Sequence, residues 1–320
     1  MTDQARIAVI IPAYRVAPYL RDALDSLVAQ DFADWEAVVI DDGSPDEAAA
    51  IVAPYLADPR ITFLATANHG VSAARNTAIA HSRAPLIALL DGDDRLAPNY
   101  LSTMVAALDA DPAAVFATCN ARYFGSGARV GNTVADGRKM APIGTVATVL
   151  DRSFNVYCGT TFRRTGFERV GGFDVEMRGS EDLDFWVRLL IDGGHAIYID
   201  QVLGEYRVRP QSASVDRLLL LEGSHRVCTK ALSALAGRPE AVLAERLIAK
   251  LTAEIEFERG IWQVVNGEVR TGLRRLSASL PDWVSPMWRP ALGLWTIFPF
   301  LAPPMLRQRQ RGHARFNTGA

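Results

Sequence analysis

Between Ile7 and Leu108 four short apolar runs alternate with amphipathic stretches, which limits the chain to a few architectures. The runs are Ile7–Ile11, Trp35–Ile40, Ile61–Leu64 and Leu86–Leu90, rich in Val, Ile and Leu. A strand that is apolar at every position is buried on both faces. After the first run, PYLRDALDSLVAQ brings Leu20, Leu24, Leu27 and Val28 onto one helical face. Ser44, Pro45, Asp46 and Glu47 stand in the order of an N-cap, a first-turn proline and a capping-box glutamate, predicting a helix start. Leu101, Met104, Val105 and Leu108 repeat the helical spacing after the fourth run. Strands and helices in alternation predict an α/β fold with a parallel sheet covered by helices.

The rest of the chain reads differently. From Val115 to Val208 the spacing is irregular, with a Gly-rich loop at Gly125–Gly144 and one strong helix, Glu181–Ile191. From Val215 to about Leu280 the pattern is helical, with Leu218, Leu221, Leu243, Leu247 and Leu251 as expected core positions. A length of 320 residues allows more than one structural unit. A formal net charge of -2, with no basic stripe, argues against a nucleic-acid surface. Cys119, Cys158 and Cys228 form no close pair and no CxxC, which suits a reducing cytosol and small buried apolar roles. MTDQARIAVIIPAY lacks the apolar core and cleavage site of a secretory signal and reads as a first strand.

The chemistry concentrates where strands end. In LIALLDGDDRLAP, Leu86–Pro98, a buried strand runs into Asp91, Asp93 and Asp94. Carboxylates that close raise one another's proton affinity unless a positive charge lies between them. The first strand ends in Pro12-Ala13-Tyr14 and the second in Asp41-Asp42-Gly43-Ser44. Ligands of open α/β sheets bind beyond such strand ends. Mg²⁺ or Mn²⁺, held by one or two carboxylates and by substrate phosphate oxygens, would suit the place. A calcium loop fits poorly, because Leu96 stands where the glycine belongs and Arg95 where the third ligand belongs. A solvated turn is the plain alternative.

Three stretches carry a resemblance to a known family. VIIPAYRVAPYLRDALDSLVAQDFADWEAVVIDDGSPDEA, then NHGVSAARNTAIAHSRAPLIALLDGDDRLAP, then GGFDVEMRGSEDLDFWVRLL resemble, in order and spacing, the motifs of bacterial-type family 2 glycosyltransferases over Ile7–Ser214. The resemblance implies the GT-A fold, a Rossmann-like, mostly parallel sheet flanked by helices, here with a helical C-terminal extension. It implies a nucleotide-sugar donor bound by Pro12, Ala13, Tyr14, Asp42, Asn68, Gly70, Arg75, Asn76, Asp91 and Asp93. Asp94, with Asp93 beside it, becomes the metal-binding position, and Asp182 of the Glu181-Asp182 pair the general base. The residues have plain alternatives: Glu181 and Asp182 suit a helix N-terminus, and Arg75 a helix surface. Phe185 and Trp186 suit a core or an acceptor wall, and His195 a strand start. EYRVRPQSAS departs from the family, placing Arg209 where many members have histidine. Arginine ligates no metal but clamps phosphate, so Arg207 or Arg209 is expected to close over the diphosphate.

These readings give an inverting, metal-dependent glycosyltransferase that moves a sugar, by default from a uridine diphosphate donor, to a glycan or lipid-linked acceptor in cell-surface polysaccharide synthesis. The alternatives are a metal-dependent nucleotidyl or phosphoryl transferase and a catalytically silent nucleotide-sugar or glycan-binding protein. The expected organisation is a glycosyltransferase domain at 1–214, with a nucleotide-binding half 1–110 and an acceptor-binding half 111–214, then a helical region 215–320. Within the latter, PALGLWTIFPFLAPPML at Pro290–Leu306 is apolar but broken by Pro299, Pro303 and Pro304. Trp283, Trp288, Trp295, Arg307, Arg309, Arg311 and Arg315 around it suit a membrane interface, so segment 283–315 is expected to touch the inner face of the plasma membrane from the cytoplasm. Packing on the catalytic domain, or a homodimer seam, is the alternative.

Overall fold

The structure is a computed structural model describing residues 4–127, 129–209, 216–281 and 284–308. The expected boundary at 214/215 lies outside the described residues, as do Trp283, Arg309, Arg311 and Arg315. Two compact units emerge: Met1–Gly125, Val130–Met177 and Glu181–Arg207 form the first, and Ser126–Arg129, Arg178–Ser180 and Val208–Ala320 the second.

The first unit begins with β1 (Ile7–Ala13), α1 (Ala17–Val28), β2 (Trp35–Asp42), α2 (Ala48–Val52), β3 (Ile61–Thr66), α3 (Val71–His81), β4 (Leu86–Leu89), β5 (Arg95–Leu96) and α4 (Tyr100–Ala110). It continues with β6 (Ala114–Gly125), β7 (Ile143–Gly144), α5 (Val146–Leu150), β8 (Thr161–Arg163), α6 (Arg164–Val170), α7 (Glu181–Asp192) and β9 (His195–Val208). The sheet order is β3-β2-β1-β4-β8-β6-β9-β5, with β7 on β9. β1 pairs in parallel with β2 and β4, and β2 with β3. From β4 onward β8 pairs antiparallel with β4, β6 with β8, and β5 and β7 with β9. The expected α/β sheet with flanking helices is therefore present, its parallel part confined to β1–β4.

Ile7, Val9 and Ile11 of β1 are fully buried beneath Leu20, Ala23, Leu24 and Leu27 of α1. These helix residues follow the i, i+3, i+4, i+7 stripe. Val28, one step past it at the last helical position, is exposed, contrary to expectation. The helix start expected at Ser44–Glu47 also moves: α2 begins at Ala48 with no side-chain cap. Ser44 is engaged elsewhere, its Oγ donating to Asp46 and accepting from the Arg15 N–H. The second half carries an aromatic core in which Phe162 packs edge-to-face on Phe173, Phe185 and Trp186.

The second unit contains α8 (Arg217–Ala234), α9 (Glu240–Val265), α10 (Val269–Ala278) and α11 (Trp288–Ile297). Leu218, Leu221, Leu243, Leu247 and Leu251 are only half-buried there. The buried positions are instead Val227, Cys228 and Ala231 on α8, and Ile255, Phe257, Ile261 and Val264 on α9. A leucine row at helical spacing reports an apolar face, whereas which face is covered depends on the helices packed against it. Trp288, Leu292 and Trp295 of α11 pack on Phe257, Ile261, Leu273 and Leu276. The helix stops at Ile297, and Phe298, before Pro299, leaves the helical region at φ -121° and ψ 75°. No described helix is long and apolar enough to cross a membrane.

Candidate active site

The loops at the carboxyl ends of β1 to β4 are held in two pairs before any side chain is considered, β2 with β3 and β4 with β1. Gly43 adopts φ +65°, and a Cβ there would stand 2.6 Å from the Asn68 backbone nitrogen. The β2 and β3 loops thus touch backbone to backbone, which only glycine permits. Gly92 plays the same part between β4 and β1, where a Cβ would meet the Pro12 carbonyl at 3.0 Å. Asp42, buried, accepts the backbone N–H of His69 at one oxygen and of Gly70 at the other, both at 2.9 Å. Asn68 and Gly70 are therefore held at the end of β2, next to Asp42, and Gly70 caps α3. Pro12 and Ala13 end β1, with Tyr14 exposed beside them and the Arg15 guanidinium 5.2 Å from its ring centre.

Arg75 is the hinge of the charged cluster. It enters on α3, is 3% exposed, and donates to Asp91 Oδ1 at 2.8 Å and Glu181 Oε1 at 3.5 Å. Burial would lower its proton affinity, but Asp91, Glu181 and Asp182 raise it above the ordinary value. Asn76, one residue on, donates to the Phe173 carbonyl at 2.8 Å and accepts the Phe173 N–H at 2.9 Å. Its amide is committed to holding α3 against the Gly171–Phe173 turn.

Asp94 lies 2% exposed at the end of the acidic run. It accepts the Arg207 backbone N–H at 2.8 Å, and its other oxygen faces the Tyr157 hydroxyl at 3.4 Å and Cys158 Sγ at 3.6 Å. Burial, then the charges of Asp93 and Asp91, push the Asp94 carboxyl well above the ordinary range. Donor atoms of Asp91, Asp94 and Cys158 all lie within 4.8 Å of one another. A buried carboxylate with that bias is stabilised by a cation, and two carboxylates suit a divalent one, so the residues fit Mg²⁺ or Mn²⁺. Cys158 was expected to be merely a small buried apolar residue. A lone cysteine carries no local signal of such a neighbourhood, and none in the sequence could have found it.

Asp93 adjoins this group, its carbonyl accepting from Arg207 Nε at 2.7 Å. The Arg207 guanidinium also binds Asp22 at 2.6 Å and lies 4.1 Å from the Phe124 ring centre and 4.7 Å from that of Tyr19. Asp22, on α1, holds Arg95 as well at 2.6 Å; the sequence reading did not single it out. Arg207 is thereby tied to the acidic loop, with its charge already met. Arg209 falls in the second unit, half-buried.

Glu181 and Asp182 open α7, where negative charge also suits the helix N-terminus. Burial, then Asp182, raise the Glu181 pKa, with Arg75 opposing. Cys158 is pushed up by burial and then by Asp91, Asp94 and Asp182. Because Arg75 pairs with Asp91 at 2.8 Å and with Glu181 at 3.5 Å, the acidic rim and the start of α7 border one region. Asp182 also lines a small hollow with Val149, Phe154, Asn155, Val156 and Trp186. Trp186 is buried, and its indole N–H has no acceptor among the described residues. His195 starts β9, with Nε2 2.7 Å from Asp111, away from these groups.

The fold sets the acidic rim beyond the carboxyl ends of parallel strands, where ligands of open α/β sheets bind. The sequence profile of Glycosyl transferase family 2 matches residues 8–171, just over half of the chain, and the chain belongs to that family. EpsJ of Bacillus subtilis (strain 168), an uncharacterized glycosyltransferase, is 39% identical over 89 residues, 28% of this chain and 26% of that protein. Chondroitin synthase of Escherichia coli is 24% identical over 72% of this chain and 33% of its own length. The chain thus spans about a quarter to a third of these relatives. Among solved structures, S. aureus TarS 1-349 in complex with UDP-GlcNAc superposes with a TM-score of 0.66 at 18% identity, covering 86% of this chain and 79% of that one. The mannosyltransferase PcManGT of Pyrobaculum calidifontis, in complex with GDP-Man and Mn²⁺, gives 0.61 at 19% identity, covering 99% and 88%. The fold is that of the GT-A glycosyltransferases.

Proposed function

We propose that this chain is a metal-dependent, inverting glycosyltransferase that transfers a sugar from a uridine diphosphate donor to an acceptor hydroxyl in the synthesis of a cell-surface polysaccharide. One observation carries the reading: Arg75 joins the acidic rim of the sheet to the Glu181-Asp182 pair, so donor-side and acceptor-side carboxylates share one region. Support for the acceptor class comes from relatives such as chondroitin synthase and the succinoglycan biosynthesis protein ExoO of Rhizobium meliloti. Support for the donor comes from the UDP-GlcNAc bound by TarS.

Asp91 and Asp94 would hold the divalent cation, which when bound offsets the negative charge that grows on a departing diphosphate. The locked loops at Asp42, Asn68 and Gly70 form the wall against which the nucleoside is held. Asp182 takes the proton of the acceptor hydroxyl as its oxygen attacks the anomeric carbon. The bond from that carbon to the diphosphate breaks on the opposite face and its electron pair leaves with the diphosphate. One displacement inverts the anomeric centre, and no second carboxylate need act as nucleophile. We place the enzyme in the cytoplasm, at the inner face of the plasma membrane.

The test joins binding to transfer. A panel of nucleotide sugars with Mn²⁺ should raise the melting temperature selectively for one UDP-sugar. Asp182→Asn should keep that shift and lose transfer to a hydroxyl acceptor by at least about a hundredfold. A nucleotidyl transferase would instead keep its rate, which would defeat the proposal.

A further inference from the structure

Helix α11 has two apolar faces, and among the described residues only one of them is covered. Trp288, Leu292 and Trp295 are packed into the core of the helical unit. The other face carries Met287, Leu294 and Ile297, spaced i, i+7, i+10 and hence one stripe. Met287 is 72% exposed and Ile297 70% exposed. The stripe runs into the break at Pro299, where Phe300 is 72% exposed and Phe298 sets its ring 6.2 Å from that of Phe300, edge-on. Met305, also exposed, follows. Scattered exposed apolar residues need no explanation, but a contiguous group on one helix and the adjoining turn does.

Charge decides what covers it. Along the chain Arg289 lies near the start of this segment and Arg307 just past Met305, both exposed, with the Arg307 guanidinium also donating to the Val265 carbonyl at 3.1 Å. Residues 283–320 contain five arginines, Arg289, Arg307, Arg309, Arg311 and Arg315, and no aspartate or glutamate. A second copy of the chain would set these arginines against themselves across a self-complementary interface. An anionic lipid surface accepts both features, taking the aliphatic and aromatic side chains into its headgroup region and the arginines at its phosphates.

We propose that the outer face of α11 and the turn at Phe298–Phe300 bind the surface of a bilayer containing anionic lipids, seating the helical unit on it. This goes beyond the transfer chemistry and does not depend on which donor is used. A lipid-linked acceptor would then be met at the surface where it is displayed.

The full chain is incubated with vesicles of phosphatidylcholine, with or without phosphatidylglycerol, and sedimented. The wild type should pellet with the phosphatidylglycerol vesicles and be released by salt. Ile297→Glu with Phe300→Glu, and separately Arg289→Glu with Arg307→Glu, should each weaken that binding at least tenfold. Both variants should keep the wild-type circular dichroism spectrum and the wild-type thermal shift with nucleotide sugar. Wild type left in the supernatant, or both variants pelleting as wild type, would overturn the proposal. So would equal binding to the two vesicle types. A wild-type dimer that the variants convert to monomer, without vesicle binding, would assign the face to self-association instead. Loss of vesicle binding beside an intact nucleotide-sugar shift leaves the catalytic reading standing, and the reverse pattern leaves the lipid surface standing.

Discussion

Arg75 donates to Asp91 at 2.8 Å from a position that is almost wholly buried. The pair ties the end of β4 to α3, and its second, longer bond at 3.5 Å reaches Glu181 on α7. A buried guanidinium is tolerable while a close carboxylate, here Asp91, remains paired with it, and the three elements meet at this one side chain.

Arg75→Met should therefore destabilise the fold by about 3 kcal/mol, the low end for removing one partner of a buried pair, because Asp91 keeps some solvent contact. Urea unfolding measures it. A loss below about 0.5 kcal/mol, the range of ordinary surface substitutions, would mean that the cluster relaxes without its arginine.

Glu181 sets a pH dependence. Burial and the neighbouring Asp182 raise its folded pKa above the ordinary glutamate value. Below that value both folded and unfolded chains carry it protonated and nothing is lost. As pH rises from there through the folded pKa, the unfolded chain releases the proton more readily and stability falls. Glu181→Gln removes this loss, so its melting temperature should exceed the wild-type value near pH 7 and converge with it below about pH 4.3. Curves that stay parallel across the range would contradict the burial argument.

The acidic rim should respond to cations as one group. Mn²⁺ at about a hundred times its Kd should stabilise the wild type by about 2.7 kcal/mol, and a chelator should reverse the effect. Asp94→Asn should abolish the shift. Cys158→Ser keeps both carboxylates, so it should retain the shift for Mn²⁺ and weaken it for softer Cd²⁺, which favours thiolate. Calorimetry with each ion reads the difference.

Gly43→Ala should cost about 2 kcal/mol, since it combines φ +65° with a 2.6 Å approach to the Asn68 nitrogen. The β3 loop must retreat to make room, so nucleotide-sugar affinity should fall with stability. Unchanged affinity in a destabilised protein would separate that loop from the donor.

Much of the first unit was legible from local pattern. The four runs predicted as strands are β1 to β4, each one ending within about two residues of its expected place, because residues buried on both faces leave a continuous apolar signature. Among the antiparallel strands the start of β9 at His195 was legible, whereas β6 and β8 were not. β6 and β8 carry buried Thr118, Asn120 and Thr161, and such polar interruptions erase the run. Their hydroxyls are satisfied by distant partners, Thr118 accepting from the Tyr157 N–H at 3.1 Å and Thr161 meeting the Tyr100 hydroxyl at 3.1 Å. Half-buried Leu243, Leu247 and Leu251 mark the complementary error, in which correct helical spacing pointed to a face that the neighbouring helices leave partly open.

The order of elements through β4, the acidic rim at Asp91–Asp94 and the apolar, arginine-bearing tail were determined by the sequence alone, because periodicity and turn chemistry act between near neighbours. Only the tertiary structure decided that Cys158 stands beside Asp94, that Arg75 spans Asp91 and Glu181, and that both oxygens of Asp42 are taken by the loop at His69 and Gly70. These groups lie 64, 106 and 27 residues apart along the chain. What brings them within hydrogen-bonding reach is the order in which the strands pair, and no local pattern encodes that.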